Sequence, residues 1–301
     1  MAAVEVRDLE KSYKDVKALK GINFSARQGD ILGFLGPNGA GKTTTIRILS
    51  TILQPDSGDA YISGHSVVSE AKEVRKIIGL LPEVFGFYEE MTAIGYLAFN
   101  ASFYHIDEQR CRAMLELVGL DKVADKRIRT FSHGMRQKLG LALALINDPE
   151  VLILDEPTSG LDPKAIFEFE EIVKGLKKQG KTVFLSSHIL PEVQKLCDEV
   201  CIINEGMIVS TGSVDSISKK LTGLRARIVL AEPVPNLRLG EVEGLVSCRI
   251  EGNVIDAEVK SYDALAEINE RLVKSGARVF EIRPVEASLE EIFLKVTGGE
   301  K

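Results

Sequence analysis

The chain runs to 301 residues, 45% hydrophobic and 27% charged, with a formal net charge of −6. That length holds one large domain or two modest ones, and the composition supplies enough apolar surface to offset chain entropy, which excludes a disordered chain. The acidic balance gives no global pull toward nucleic acid or anionic lipid, so no nucleic-acid partner is expected.

Cys111, Cys197, Cys201 and Cys248 are too few and too scattered for a disulfide framework, which fits a reducing cytoplasm. Cys197 and Cys201 are spaced to share a helical face, but no His or Cys stands nearby in sequence, so buried apolar thiols are expected and metal is set aside. The start, Met1-Ala-Ala-Val-Glu-Val-Arg-Asp8, has no apolar stretch before a cleavage site, and no signal peptide is expected. The longest apolar run, Leu139 to Ile146, falls far short of the ~20 residues of a membrane span, so a membrane role calls for a partner.

In chain order, residues 4 to 64 read as short strands separated by turns: Val4 to Arg7, Ala18 to Ser25, Ile31 to Leu35, and Asp59 to Ser63 after the turn-like Pro55-Asp-Ser-Gly58. Ile31-Leu-Gly-Phe-Leu35 is continuously apolar, as a strand buried on both faces of a parallel sheet must be. Directly after it, Gly36-Pro-Asn-Gly-Ala-Gly-Lys-Thr43 fits G-x-x-x-x-G-K-[ST], the phosphate-binding Walker A pattern, in its required place between strand and helix. The nucleotide-binding set is therefore Gly36, Pro37, Asn38, Gly39, Ala40, Gly41, Lys42, Thr43 and Thr44. Backbone N–H groups and the helix N-terminus face the phosphates. Lys42 is expected to bridge the β- and γ-phosphates, the Thr43 hydroxyl to ligate Mg²⁺, and Thr44 to reach an α- or β-phosphate oxygen.

Between about 86 and 148 the apolar period becomes 3.6, with Leu115, Val118, Leu139, Leu143 and Ile146 on helical faces, a helical insert. Phe85, Phe87, Tyr88, Tyr96, Phe99, Phe103 and Tyr104 crowd its beginning, seven of the eighteen Phe and Tyr residues in the chain, a concentration that calls for a cause. Tyr96, Phe99 and Phe103 stand at helical spacing and are expected in the core of the insert. Phe85, Phe87 and Tyr88 break that period and are read as a docking surface, since aromatic side chains anchor interfaces.

Three further apolar strands follow, Val151 to Leu154, Thr182 to Leu185 and Val200 to Ile203, with helical patterns between them; the alternation implies a parallel α/β core. The first ends in Asp155-Glu156, at the strand end where open α/β sheets bind ligands. Beside a phosphate loop, Asp155 is expected to hold Mg²⁺ and Glu156 to activate the attacking water. A boundary falls at 214–224, separating a domain of residues 1–213 from an α+β accessory domain of residues 225–301. The accessory signals are a strand Ala226 to Leu230, a hairpin turning at Gly252-Asn253, a helix Asp263 to Lys274, a strand Arg278 to Arg283, and a helix opened by the capping box Ser288 with Glu291.

From Phe131 through Pro163 the sequence Phe-Ser-His-Gly-Met, the apolar strand, Asp-Glu-Pro-Thr-Ser-Gly-Leu-Asp-Pro resembles the signature motif, Walker B and D-loop of ABC (ATP-binding cassette) ATPases in their order. Leu185-Ser-Ser-His188 resembles the H-loop, and Tyr13 stands where the family stacks an aromatic ring on adenine. The resemblance implies the P-loop ABC ATPase fold, with a mixed sheet, an antiparallel N-terminal β subdomain and the helical insert. It implies ATP and Mg²⁺ as ligands, Glu156, His188 and Lys42 as catalytic residues, and a head-to-tail dimer, with a copy of itself or a second ABC subunit. In that dimer Ser132 and Gly134 of one chain meet the γ-phosphate held by the other, as a capped helix N-terminus can.

Two departures stand out. Phe131, His133 and Met135 replace residues of the usual Leu-Ser-Gly-Gly-Gln, with His133 expected at a solvent or interface position. Glu83, in Leu80-Leu-Pro-Glu83, replaces the usual Q-loop glutamine beside Mg²⁺, which suggests a stronger metal ligand. The resemblance further implies an integral membrane subunit as partner, whose coupling helix enters the cleft by Glu83, and hence a peripheral position on the cytoplasmic face of the cell membrane. The Leu-Pro-Glu loop, the signature and the terminal Ser288–Gly298 segment resemble exporters of the drug-resistance, sodium-efflux and gliding-associated group. A soluble ABC ATPase acting on nucleic acid or ribosomes is the alternative, disfavoured by the single cassette and by only 87 residues between Thr44 and Ser132. A P-loop kinase would not need the signature or His188.

Overall fold

The computed structural model describes residues 2–213, 216–217, 224–233, 239 and 242–285. They fall into two compact units, Met1–Gly212 and Ser213–Lys301.

In the first unit, strands β1 (Ala2–Tyr13), β2 (Val16–Arg27), β4 (Ser57–Ile62) and β5 (His65–Ser66) form an antiparallel sheet in the order β2-β1-β4-β5. A six-stranded sheet has the order β10-β9-β3-β8-β7-β6, from β3 (Ile31–Leu35), β6 (Ile78–Leu81), β7 (Val151–Asp155), β8 (Thr182–Ser187), β9 (Glu199–Asn204) and β10 (Met207–Gly212). All its pairings are parallel except β9 with β10. Every residue of β3, β7 and β8 is buried, which explains the apolar runs Ile31–Leu35, Val151–Leu154 and Val183–Leu185. Phe24 of β2, Phe34 of β3 and Phe184 of β8 pack with centroids 5.1, 5.3 and 5.9 Å apart, joining the antiparallel sheet to the central one.

Helix α1 (Lys42–Leu49) follows β3, and α2 (Ala71–Ile77) leads into β6. The insert holds α3 (Ala93–Ser102), α4 (Glu108–Leu117) and α5 (His133–Ala144), whose first turns are capped by Thr92, Asp107 and Ser132, each side chain accepting from a backbone N–H in the first turn. Helix α6 (Pro163–Lys178) is capped by Asp162 with proline at its start, and α7 (Leu190–Leu196) precedes β9. At α5 two glycines permit close packing. A Cβ on Gly140 would lie 2.7 Å from both Leu81 and the Phe85 ring, and one on Gly79 of β6 would lie 2.0 Å from the Ala144 carbonyl.

The second unit is an antiparallel sheet of β11 (Leu224–Leu230), β12 (Leu245–Glu251), β13 (Val254–Val259) and β14 (Val279–Pro284) in the order β12-β13-β11-β14, with helix α8 (Tyr262–Lys274). Alternate residues Ile228, Leu230, Ile255, Ala257 and Val259 share a core with Ala264, Ile268 and Leu272 of α8. Next to Ile228 on β11, Arg227 makes a two-pronged bond to Asp256, at 2.7 and 2.9 Å. The capping-box helix expected from Ser288 lies outside the described residues, as does most of the 214–224 segment.

Three expectations need correction. Phe99 and Phe103 are 44% and 69% exposed, whereas Tyr96 is buried, because the inner stripe of α3 is Ala93, Ile94, Tyr96, Leu97 and Ala101. Cys197 and Cys201 do not share a helix: Cys201 lies in β9 and Cys197 ends α7. Burial pushes both thiols up, Cys201 to about 12, so neither is a ready nucleophile or ligand. The strand β6 also escaped the pattern, since a four-residue run stopped by Pro82 carries little periodicity.

Candidate functional site

The carboxyl ends of β3, β6, β7 and β8 bring the Walker A loop, Glu83, Asp155-Glu156 and His188 to one edge of the central sheet. Gly41 has φ +113°, and a Cβ there would strike Leu19 and the Ala18 carbonyl, so the turn into α1 admits glycine alone. Gly36 is bound as tightly: a Cβ would lie 2.5 Å from the Ile203 carbonyl of β9. The loop curls around its own lysine, with Lys42 Nζ donating to the carbonyls of Gly36 at 2.7 Å and Pro37 at 3.3 Å.

Lys42 Nζ also stands 3.3 Å from Glu156 Oε1, a pair whose side chains are 7% and 9% exposed. The other oxygen of Glu156 is 2.8 Å from His188 Nδ1. Glu156 itself sits at φ +46°, a left-handed conformation unusual for a side chain of its size, held by its N–H bond to Ser186 Oγ at 2.9 Å. The same Ser186 hydroxyl donates to Asp155 Oδ1 at 2.7 Å, because parallel register sets Asp155 opposite Ser186. Burial raises the Asp155 carboxyl above its ordinary range, against the Ser186 bond that lowers it, and neighbouring Glu156 raises it further.

A cleft of about 330 Å³ is lined by Pro37, Asn38, Gly39, Gly41, Lys42, Thr43 and Thr44, with Ala18, Glu83, Glu156, Ser159 and His188 on its other walls. Gly36 and Ala40 belong to the same loop just behind this lining. Glu83 is exposed and also shares a smaller cavity of about 130 Å³ with Thr43 and Asp155. Among the described residues no three His, Cys, Asp or Glu side chains gather to cage a metal. Hydroxyl and carboxylate oxygens in so small a number fit Mg²⁺, which keeps waters and shares itself with substrate phosphates.

Tyr13, Ser132 and Gly134 stand outside this lining. Tyr13, 43% exposed, ends β1 at the hairpin into β2, the strand that brings Ala18 to the cleft. Ser132 accepts from Met135 N at 3.3 Å and caps α5, while Gly134 packs on Ala165 and Leu161. One chain thus carries two separate faces, the cleft around Lys42 and a capped helix end. Sequence reading missed Ser186, Ser159, and the bond by which the Thr158 hydroxyl donates to Glu192 of α7. Ser186 was visible beside His188, but its partner depends on strand register.

The aromatic residues form a run of edge-on rings, Phe85–Phe87–Tyr96–Tyr88–Phe99–Phe103, with centroid spacings of 4.8 to 6.3 Å. Phe85 and Phe87 are half-buried while Tyr88 is 64% exposed. Nearby, a groove of about 480 Å³ runs between the end of α1, β6, α3 and α5, lined among others by Ile52, Leu80, Asn100, Tyr104 and Leu143.

Residues 19–159 match the model of the ABC transporter family. The chain is 38% identical to the bacitracin transport ATP-binding protein BcrA of Bacillus licheniformis, covering 98% of this chain and 97% of that protein. It is 36% identical to the daunorubicin resistance ATP-binding protein DrrA3 of Streptomyces coeruleorubidus, over 99% and 97%. The Nod factor export ATP-binding protein I of Burkholderia orbicola (strain AU 1054) is 34% identical over 100% and 98%. Among solved structures, an ATP-binding subunit of an ABC transporter superposes with a TM-score of 0.67 at 30% identity, covering 73% of this chain and 94% of that one.

Proposed function

The chain belongs to the family of ABC transporter ATP-binding proteins, an ATP-binding and ATP-hydrolysing subunit, and from that premise we propose how its residues divide the work. Glu156 is the general base for the attacking water, Lys42 holds the transferred phosphoryl group, and His188 orients Glu156 and contacts the γ-phosphate. The supporting observation is the placement of Glu156 at the end of β7, hydrogen-bonded to His188 and paired with Lys42 in one cleft. Phosphate oxygens are stronger acceptors than peptide carbonyls. Lys42 therefore exchanges Gly36, Pro37 and Glu156 for ATP, which frees the carboxylate of Glu156 to take a proton while His188 keeps it aimed.

Mg²⁺ would be held by the Thr43 hydroxyl and Asp155, with Glu83 beside them, and supplies positive charge against the phosphates. Asp155 is kept in place by Ser186, so one hydroxyl sets both neighbouring carboxylate residues. Tyr13 stacks on adenine. Ser132 and Gly134, outside the cleft of their own chain, serve the nucleotide of a second cassette, so ATP closes a head-to-tail dimer and hydrolysis reopens it.

No described helix is long and apolar enough to cross a membrane. The transport path then lies in a separate integral membrane subunit, and the chain works at the cytoplasmic face. The groove beside Leu80 and the aromatic run from Phe85 are its contact, apolar and edged by the exposed Tyr88, Phe99 and Phe103. Export is the direction favoured, from full-length similarity to relatives named for antibiotic resistance and Nod factor export. The test is Glu156→Gln: with ATP the variant should accumulate as a dimer by size-exclusion chromatography, and a monomer at saturating ATP would overturn the scheme.

A further inference from the structure

His133 occupies a signature position where the usual family residue has no side chain, and nothing above uses its ring. It is the first residue of α5, and its Nε2 lies 3.0 Å from the Ser159 carbonyl. A carbonyl only accepts, so the ring donates through Nε2–H, which fixes the tautomer of the neutral imidazole. Ser159 is three residues beyond Glu156 and lines the same cleft as Lys42 and His188. The bond therefore runs from the helix end that faces a second nucleotide to the wall of the chain's own cleft.

A second set of contacts points the same way. A Cβ on Gly160, at φ +72°, would lie 3.4 Å from His133 Nε2, so the ring rests over the residue following Ser159. A Cβ on Gly134 would meet Ala165 at 3.3 Å and Leu161 at 3.8 Å. The start of α5 is thus nested on residues 159–165. From the other side, the Thr158 hydroxyl donates to Glu192 of α7, the helix that follows His188. Residues 158 and 159 are gripped between the signature helix and the His188 segment, and His133 supplies the grip on one side.

We propose that His133 is a positioning residue for ATP hydrolysis: its Nε2–H clamps the Ser159 carbonyl, so that the signature helix and the segment from Glu156 to Asp162 shift as one body. The inference rests on the assignment of Glu156 as base. The test is steady-state ATP hydrolysis by the purified full-length chain carrying His133→Ala or His133→Gln, beside Glu156→Gln, with amide hydrogen exchange over 156–162. His133→Ala should lower kcat about three- to tenfold, the worth of one net hydrogen bond, with KM for ATP held within about twofold. Exchange at Leu161, whose N–H bonds to the Thr158 carbonyl at 3.1 Å, should quicken. His133→Gln still donates and should recover most of kcat. Wild-type kcat and exchange in His133→Ala would overturn the proposal, as would a loss that tracks a lowered Tm and is not recovered by His133→Gln. An inactive Glu156→Gln beside a fully active His133→Ala removes only the role of His133, whereas an active Glu156→Gln removes the reading of the site and this inference with it.

Discussion

Replacing Glu156 by glutamine keeps the shape of the side chain and removes its charge and basicity, so its two consequences can be worked out separately. Loss of a positioned general base costs about 10²–10⁴ in rate, which corresponds to roughly 3–5 kcal/mol of barrier. The second consequence comes from burial. Lys42 and Glu156 are 7% and 9% exposed, and neutralising one member leaves the other a buried cation. Breaking such a pair costs about 3–5 kcal/mol when nothing else meets the charge. Here the Gly36 and Pro37 carbonyls also accept from Lys42, which reduces the expected loss to about 2 kcal/mol. For a unit of this size that is a fall of roughly 4–8 °C in Tm without nucleotide. ATP brings its own negative charge to Lys42, so the thermal shift on adding ATP should be larger in Glu156→Gln than in wild type. Phosphate release and thermal melts with and without ATP are the assays. A variant that hydrolyses ATP at the wild-type rate would refute the base assignment, and equal ATP shifts in both proteins would refute the exchange of Lys42 from Glu156 to phosphate.

Glu83→Gln should raise the Mg²⁺ concentration needed for half-maximal turnover, and an unchanged Mg²⁺ titration would remove Glu83 from the metal site. The raised pKa of Asp155 makes its contribution to stability greatest below the unfolded value near 4 and lost as pH rises through the folded value. Asp155→Asn should therefore raise Tm at neutral pH, flatten the decline of stability with rising pH, and abolish Mg²⁺-dependent hydrolysis; a lowered Tm at pH 7 would contradict the burial argument. Phe34→Ala, at the centre of the three-ring contact, should cost about 3–5 kcal/mol by denaturant melts. A loss below about 1 kcal/mol would mean that the rings do not join the two sheets.

The parts of the site that lie within one continuous stretch were legible in the sequence. Gly36 to Thr44 declares a phosphate loop because strand, turn chemistry and helix follow one another locally, and Asp155-Glu156 declares itself by ending an apolar strand. Contacts between stretches were not legible. Ser186 bonds to both Asp155 and the Glu156 N–H only because β7 and β8 pair in one particular register, and the Thr158–Glu192 and His133–Ser159 bonds join residues 34 and 26 positions apart. Periodicity told that Phe99 and Phe103 ride a helix but not which way that helix faces, and the answer came from packing against α4 and α5. Glu83 was placed by resemblance, while the short strand β6 that carries it to Asp155 was hidden by its length.

The two glycine contacts of α5 give that helix a mechanical character. Its twelve residues span about 18 Å, from Ser132 at one tip to Ala144 wedged against Gly79 at the other. Phe85 presses on its flank at Gly140, where not even a methyl group would fit. Braced at Gly140 and Ala144, the helix has no slack on that flank, and its other tip, the Ser132 cap seated on residues 159–165, stands about two turns beyond Gly140.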